Sequence, residues 1–69
     1  MTQEEANEIY AQYQAKALPE VYSYEITPYN AIEAQGAKYE HLIIYKDNSA
    51  IVSVVLKNGQ PEEISPVKR

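Results

Sequence analysis

The sequence predicts an α+β fold in which an N-terminal helix packs on a three- to four-stranded antiparallel sheet. Three observations predict it: a helical apolar period near the start, apolar runs typical of strands after it, and turn residues between those runs. A length of 69 residues accommodates one small domain over 1–69, with 1–2 and 66–69 as loose ends. A core of this size supplies only about 3–5 kcal/mol, so each uncovered apolar side chain matters.

The first segment is predicted to form a helix from Gln3 to Ala17. Thr2 and Glu5 have the spacing of a capping box, in which each side chain binds the backbone amide of the other residue. Pro19 cannot continue a helix and therefore ends it. The predicted apolar face of this helix consists of Ala6, Ile9, Tyr10, Tyr13 and Ala17.

The next segment, from Val21 to Thr27, alternates and is predicted to be a half-buried strand with Tyr22, Tyr24 and Ile26 on one face. A proline after Thr27 and a glycine at position 36 then favour a short second helix over 28–35, between the first and second strands.

The densest apolar stretch, from Lys38 to Lys57, is predicted to form a β-hairpin that turns near Asp47 and Asn48. Asn58-Gly59 is the signature of a second hairpin turn. The strand from Gln60 to Ser65 contains Pro61, which cannot donate to a ladder, so we expect it at a sheet edge.

Two registers of the central hairpin fit the sequence, and they group the side chains differently. A three-residue turn over 46–48 places Leu42, Ile44, Val52 and Val54 on one face and Tyr39, His41, Ile43, Tyr45, Ile51 and Val55 on the other. A two-residue turn at 47–48 groups Ile43, Tyr45, Val52, Val54 and Leu56 against Leu42, Ile44, Ile51 and Val55. Both registers leave aliphatic side chains on both faces, unlike a sheet with one side in water.

The face that the helix does not cover is predicted to be a protein interface. Ile9, Tyr10 and Tyr13 can cover one face, whereas a segment over 28–35 offers only Ile32 to the other. Each exposed Val or Ile forgoes about 1.5–3 kcal/mol of burial. We therefore expect a partner, which is another protein or a second copy of the chain in a homodimer. The predicted partner-binding residues are Tyr22, Tyr24, Tyr39, Ile43, Tyr45, Ile51 and Val55.

The aromatic composition favours the same interpretation. All seven aromatic residues are tyrosine, with no Phe and no Trp. A buried phenol needs a hydrogen-bond partner, whereas a tyrosine at an interface has one apolar and one wet end. The predicted function is a small non-enzymatic interaction module, as an inhibitor or regulatory subunit.

Acidic residues concentrate in the N-terminal half, where residues 1–34 contain six acids and one base, and the whole chain has a net charge of −4. This charge repels phosphate backbones, so we expect no direct binding to nucleic acid. An alternative function is an acidic nucleic-acid mimic, an inhibitor of the phage type in size and charge. Its acidic helix face would consist of Glu4, Glu5 and Glu8.

Residue types that catalysis and metal binding require are scarce. The chain has no cysteine and one histidine, His41, so it can form neither thiolate ligands nor a His-His pair. Two glycines cannot build a phosphate loop, and adjacent Glu62 and Glu63 point to opposite faces of a strand. We expect no enzymatic activity, no cofactor and no metal.

The sequence contains no apolar run of the length that spans a bilayer, so we expect no membrane association and a cytoplasmic location. A small-ligand carrier is a third alternative, although so short a chain encloses a pocket of several hundred Å³ only with difficulty.

Overall fold

The computed structural model describes residues 1–29 and 36–67. Within them, helix α1 (Gln3–Gln14) packs on one face of a four-stranded antiparallel sheet of order β1-β2-β3-β4. The strands are β1 (Tyr22–Pro28), β2 (Tyr39–Lys46), β3 (Ser49–Lys57) and β4 (Gln60–Pro66). The predicted α+β fold is confirmed. Most of the short helix predicted over 28–35 lies outside the described residues, and Pro28 itself closes β1.

Helix α1 begins at the predicted capping box. The Glu5 backbone N–H donates to Thr2 Oγ1 at 3.1 Å, and the Thr2 backbone N–H donates to Glu5 Oε1 at 2.8 Å. Two of the amide groups that every helix start leaves unpaired are thereby satisfied.

The end of α1 at Gln14 comes three residues before the predicted end at Ala17. The chain closes in a Schellman motif, in which Ala17 N–H donates to the Gln12 carbonyl at 2.9 Å and Lys16 N–H to the Tyr13 carbonyl at 3.1 Å. Lys16 has φ +58°, a left-handed conformation that usually selects glycine. The prediction was wrong here because the helix stops well before Pro19, without a glycine to mark its end.

Replacing Lys16 with glycine is expected to stabilise the fold. A side chain at this φ costs more than a glycine does, so Lys16→Gly should raise the free energy of unfolding by about 0.5–1 kcal/mol. Urea denaturation followed by circular dichroism measures the change. A fall in stability would contradict the left-handed cap, and Lys16→Ala, which keeps a Cβ, serves as the control.

The central hairpin combines features of the two predicted registers. Lys46 pairs with Ser49 across a two-residue turn in which Asp47 and Asn48 have φ 53° and 66°, as a type I′ turn requires. Ile44 nevertheless pairs with Val52 and Tyr45 with Ala50, so one residue of β3, Ile51, is an extra residue in a β-bulge. The bulge restores the side-chain grouping expected for the three-residue turn, except that Ile51 packs against the core.

The core lies between α1 and the sheet. Helix α1 crosses β3 and β4, and the buried side chains come from its apolar face and from alternate positions of β2 and β3. They are Ala6, Ile9, Tyr10, Leu42, Ile44, Val52, Val54 and Leu56. Five of them are fully buried, Ala6 and one pair from each central strand, so this layer carries most of the hydrophobic stabilisation.

Strand β4 forms one edge of the sheet, as predicted, after a second type I′ turn at Asn58 and Gly59, with φ 53° and 82°. It is longer than predicted, since Pro66 belongs to it and Val67 N–H donates to the Ile51 carbonyl at 2.9 Å. The expectation of a loose end from residue 66 was therefore wrong at these two positions. Residues 68–69 lie outside the described part of the chain.

Candidate protein interface

The sheet has a second face, opposite α1, that we call the outer face. Its side chains alternate along each strand with those of the core, and its central residues are Tyr39, His41, Ile43, Tyr45, Ser53 and Val55. Helix α1 lies over β3 and β4, and its Tyr13 ring contacts Tyr24 of β1, all on the other side of the sheet. Within residues 1–29 and 36–67, no second layer packs on the outer face.

The outer face contains four of the seven predicted partner-binding residues, Tyr39, Ile43, Tyr45 and Val55, each half-buried by its neighbours on the sheet. These four lie on two adjacent strands and form one surface.

The other three predicted residues lie elsewhere. Tyr24 pairs with Ile44 and Tyr22 with Lys46, so both tyrosines point to the side of the sheet on which α1 lies. Ile51 occupies the bulge and packs against the core. The seven residues therefore do not form one site. The alternation along β1 places its two tyrosines on the α1 side, and the bulge in β3 turns Ile51 toward the core.

Two polar pairs organise the outer face. The Tyr45 hydroxyl donates to Glu25 Oε1 at 3.0 Å, a bond that raises the pKa of Tyr45 above its ordinary value, because ionisation would remove the donor. His41 Nε2 and Ser53 Oγ share a hydrogen bond at 2.7 Å, and the Tyr29 ring lies 5.9 Å from the imidazole. Sequence reasoning missed Glu25 and Ser53, which only the register brings beside these partners.

Acidic side chains lie beside the aliphatic side chains of the outer face. Glu25 is directly opposite Ile43, and Glu63 is directly opposite Val55. Each central aliphatic side chain thus has a carboxylate as its cross-strand neighbour. The outer face therefore has a small apolar centre with negative charge beside it.

The predicted acidic helix face is only partly available for binding. Glu4 and Glu8 are exposed on α1, but the Glu5 carboxylate is bound in the capping box. These bonds from Thr2 hold the pKa of Glu5 below its ordinary value. Replacing Glu5 would therefore damage the helix start as well as remove a charge.

An open cleft of about 420 Å³ lies on the α1 side, where the end of the helix approaches β1. It is lined by Tyr13, Gln14, Lys16, Leu18 and Tyr24. Among the described residues, no group of three or more His, Cys, Asp or Glu side chains is placed to hold a metal ion. The described part of the chain also has no helix with the length and apolarity needed to cross a bilayer.

Comparison of the chain with protein-family models, with curated proteins and with solved structures gives no match. Its function is therefore inferred from its own residues and their geometry.

Proposed function

We propose that the chain is a non-enzymatic protein–protein interaction module, an inhibitor or regulatory subunit that docks on another protein through the outer face. One observation supports this most directly: both faces of β2 and β3 carry aliphatic side chains, and α1 covers only one of them. A sheet with one face in water would alternate apolar and polar residues cleanly.

The energetic argument concerns Ile43 and Val55. Both are half-buried on the outer face, and a partner that excluded water from them would recover part of the roughly 1.5–3 kcal/mol that full burial of each provides. In a marginally stable domain this apolar surface is a cost unless it serves binding. Tyr39 and Tyr45 on the same strand supply the aromatic anchors that binding hot spots favour.

The polar pairs support the proposal because they exist before a partner arrives. Tyr45 is bonded to Glu25, and His41 is bonded to Ser53, so these side chains already have partners within the sheet. A partner can cover them without leaving them unpaired, which lowers the cost of desolvation. Side chains held in one geometry also lose less entropy on binding.

The charges favour a different protein over a second copy at this face. Stacking two outer faces would bring Glu25 and Glu63 of both copies together, in chains that each have a net charge of −4. A partner with basic groups around an apolar patch avoids this repulsion.

Replacing Ile43 with lysine is expected to abolish partner binding and preserve the fold. The new charge would lie in the apolar centre of the interface, and affinity should fall by about tenfold or more. Val21→Lys is the matched control, since Val21 is 50% exposed and lies outside the strands. Proteins captured from host lysate by the immobilised wild-type chain and by both variants would be compared, with circular dichroism verifying the fold.

Support requires that a protein bound by the wild type and by Val21→Lys is lost with Ile43→Lys. Hydrogen exchange of the complex should then show protection of the outer-face strands β2 and β3. Capture unaffected by Ile43→Lys, protection confined to α1, or no protein retained by the wild type would each contradict the proposal.

A further inference from the structure

The two edges of the sheet differ in how their backbone groups are satisfied. The β3–β4 register and the Val67–Ile51 bond direct the backbone groups of Ile64 and Pro66 away from β3, toward the free side of β4. The Ile64 carbonyl accepts from Gln3 Nε2 at 2.7 Å, and Pro66 has no N–H. A bulge in β4 further disturbs its pairing surface. These are the usual means by which proteins block an edge against pairing with another chain.

The β1 edge has such protection only at its two ends. Tyr29 N–H donates to the Tyr39 carbonyl at 3.0 Å, and this bond fixes which backbone groups of β1 face β2. The N–H and C=O groups of odd-numbered residues bond to β2, whereas those of even-numbered residues point away from β2, toward the free edge. Tyr22 N–H already donates to the Pro19 carbonyl at 3.0 Å, and Pro28 has no N–H. Within the described residues, the outward donors of β1 are therefore Tyr24 and Ile26.

The side chains at these two positions are also unusually exposed for their size. Tyr24 is 56% and Ile26 41% exposed, although both point to the α1 side of the sheet. The Tyr24 ring is held edge-on against Tyr13, with 4.8 Å between ring centroids. Unpaired backbone donors thus coincide with exposed apolar side chains, which makes β1 a template for another strand.

We propose that β1 pairs antiparallel with β1 of a second copy, about a two-fold axis that passes beside Tyr24, and joins two sheets into one of eight strands. This inference concerns a different surface from the outer face and does not depend on the function proposed for it. The edge is self-complementary, as a two-fold interface requires. Tyr24 N–H would donate to the Tyr24 carbonyl of the second copy, and Ile26 N–H to its Tyr22 carbonyl.

The side chains favour this register over those centred on Glu25 or Ile26. Pairing centred on Tyr24 places the two Tyr24 rings opposite each other and Tyr22 opposite Ile26, which are aromatic and aromatic–β-branched pairs of the favoured kinds. On the outer face it sets the Ser23 hydroxyl opposite the Glu25 carboxylate of the second copy. That carboxylate already accepts a hydrogen bond from Tyr45 and can accept another from the Ser23 hydroxyl.

Neighbouring registers are less favourable. Centring the pairing on Glu25 would put two carboxylates directly opposite, which is destabilising. Centring it on Ile26 would set Tyr24 opposite Pro28, which has no N–H to return a bond and offers neither an aromatic nor a β-branched partner. The charges and the side-chain pairs thus both favour the register centred on Tyr24.

Sedimentation equilibrium of the whole chain up to millimolar concentration tests the dimer. The wild type should form dimers, and Tyr24→Lys, which would set two ammonium groups opposite each other, should raise the dissociation constant by about tenfold or more. Ile26→Pro should act likewise by removing an outward N–H, and an edge strand tolerates proline at such a position. Val21→Lys and the outer-face variant Ile43→Lys should leave dimerisation unchanged.

A cross-linking experiment tests the register. The chain has no cysteine, so Tyr24→Cys introduces a single thiol in each copy. In the proposed register the two residues at position 24 form a hydrogen-bonded pair, whose Cα atoms are about 5.5 Å apart. A short bismaleimide should link the two copies of this variant. Val21→Cys is the control, because the equivalent residues would be about 20 Å apart along the paired strands.

A wild type that remains monomeric at millimolar concentration would overturn the inference and leave this edge to a strand of another protein. A dimer that Ile43→Lys disrupts, and that Tyr24→Lys and Ile26→Pro do not, would overturn it in favour of association through the outer face. Equal cross-linking of Tyr24→Cys and Val21→Cys would overturn the register.

Discussion

Replacing Ile44 with alanine is expected to destabilise the chain by about 2–5 kcal/mol, the range for removing a buried Ile side chain and leaving a cavity. Ile44 is fully buried at the centre of the layer that α1 covers. The expected loss equals most or all of the stability that a domain of 69 residues has. Urea denaturation followed by circular dichroism should show the variant largely unfolded at 25 °C.

The matched control is Ile43→Ala, one residue earlier on the same strand. Ile43 points to the outer face and is only half-buried, so its truncation should cost about 1 kcal/mol or less. The same substitution at adjacent isoleucines thus separates stability from binding, since we expect Ile43→Ala to weaken partner binding. Equal destabilisation by the two substitutions would contradict the placement of the core on one face of the sheet.

The elements of the fold could be predicted because their signals are local. The capping box at Thr2, the alternation in β1 and the Asn58-Gly59 turn each depend on a few neighbouring residues, and each appears where expected. Strand β1 runs from Tyr22 to Pro28, one residue later than predicted. The end of α1 was harder to place because a lysine takes the left-handed position that glycine usually marks.

The register of the central hairpin could not be predicted because two local features act against each other. The Asp47-Asn48 turn closes after two residues, and this alone would have placed Val52 and Ile43 on the same face. The bulge at Ile51 shifts the parity back, so that Val52 joins Ile44 in the core. A bulge of this kind has no sequence signal apart from the packing that it permits.

The same limit applies to the candidate interface. Tyr39, Ile43, Tyr45 and Val55 share a face because β2 and β3 are adjacent and their parity is fixed by the bulge. Whether Tyr22 and Tyr24 joined them depended on the pairing of β1 with β2, which is set over a long separation in sequence. Hydrophobic content therefore predicted that a surface would need a partner but not which residues share it.

Tyr10 is one of three residues of α1 that are buried against the sheet, and its replacement with alanine is expected to cost about 3–5 kcal/mol, the range for truncating a buried aromatic side chain. Tyr10 is 5% exposed, and its ring stacks on Tyr13 with 5.9 Å between centroids. Its loss would open the core above the sheet and remove the support for Tyr13, which in turn contacts Tyr24. Chemical denaturation should show Tyr10→Ala unfolded or nearly so at 25 °C.

Tyr10→Phe separates the ring from its hydroxyl. Among the described residues no buried side-chain polar atom lacks a hydrogen-bond partner, and Phe keeps the buried ring, so we expect a small change in the free energy of unfolding near neutral pH.

Burial raises the pKa of Tyr10 above its ordinary value of 10.0, with a smaller effect from Tyr13. The unfolded chain therefore loses this proton first, and the stability present below pH 10 is lost as the pH rises toward the folded-state pKa. Because Phe does not titrate, Tyr10→Phe should lose less stability than the wild type across the pH window that begins near the ordinary tyrosine pKa of 10.0 and extends above it. Urea denaturation of both proteins at several pH values in this window gives the free energy of unfolding as a function of pH. If this free energy falls equally with pH in both proteins, the Tyr10 hydroxyl is not shielded from water by the packing of α1 on the sheet.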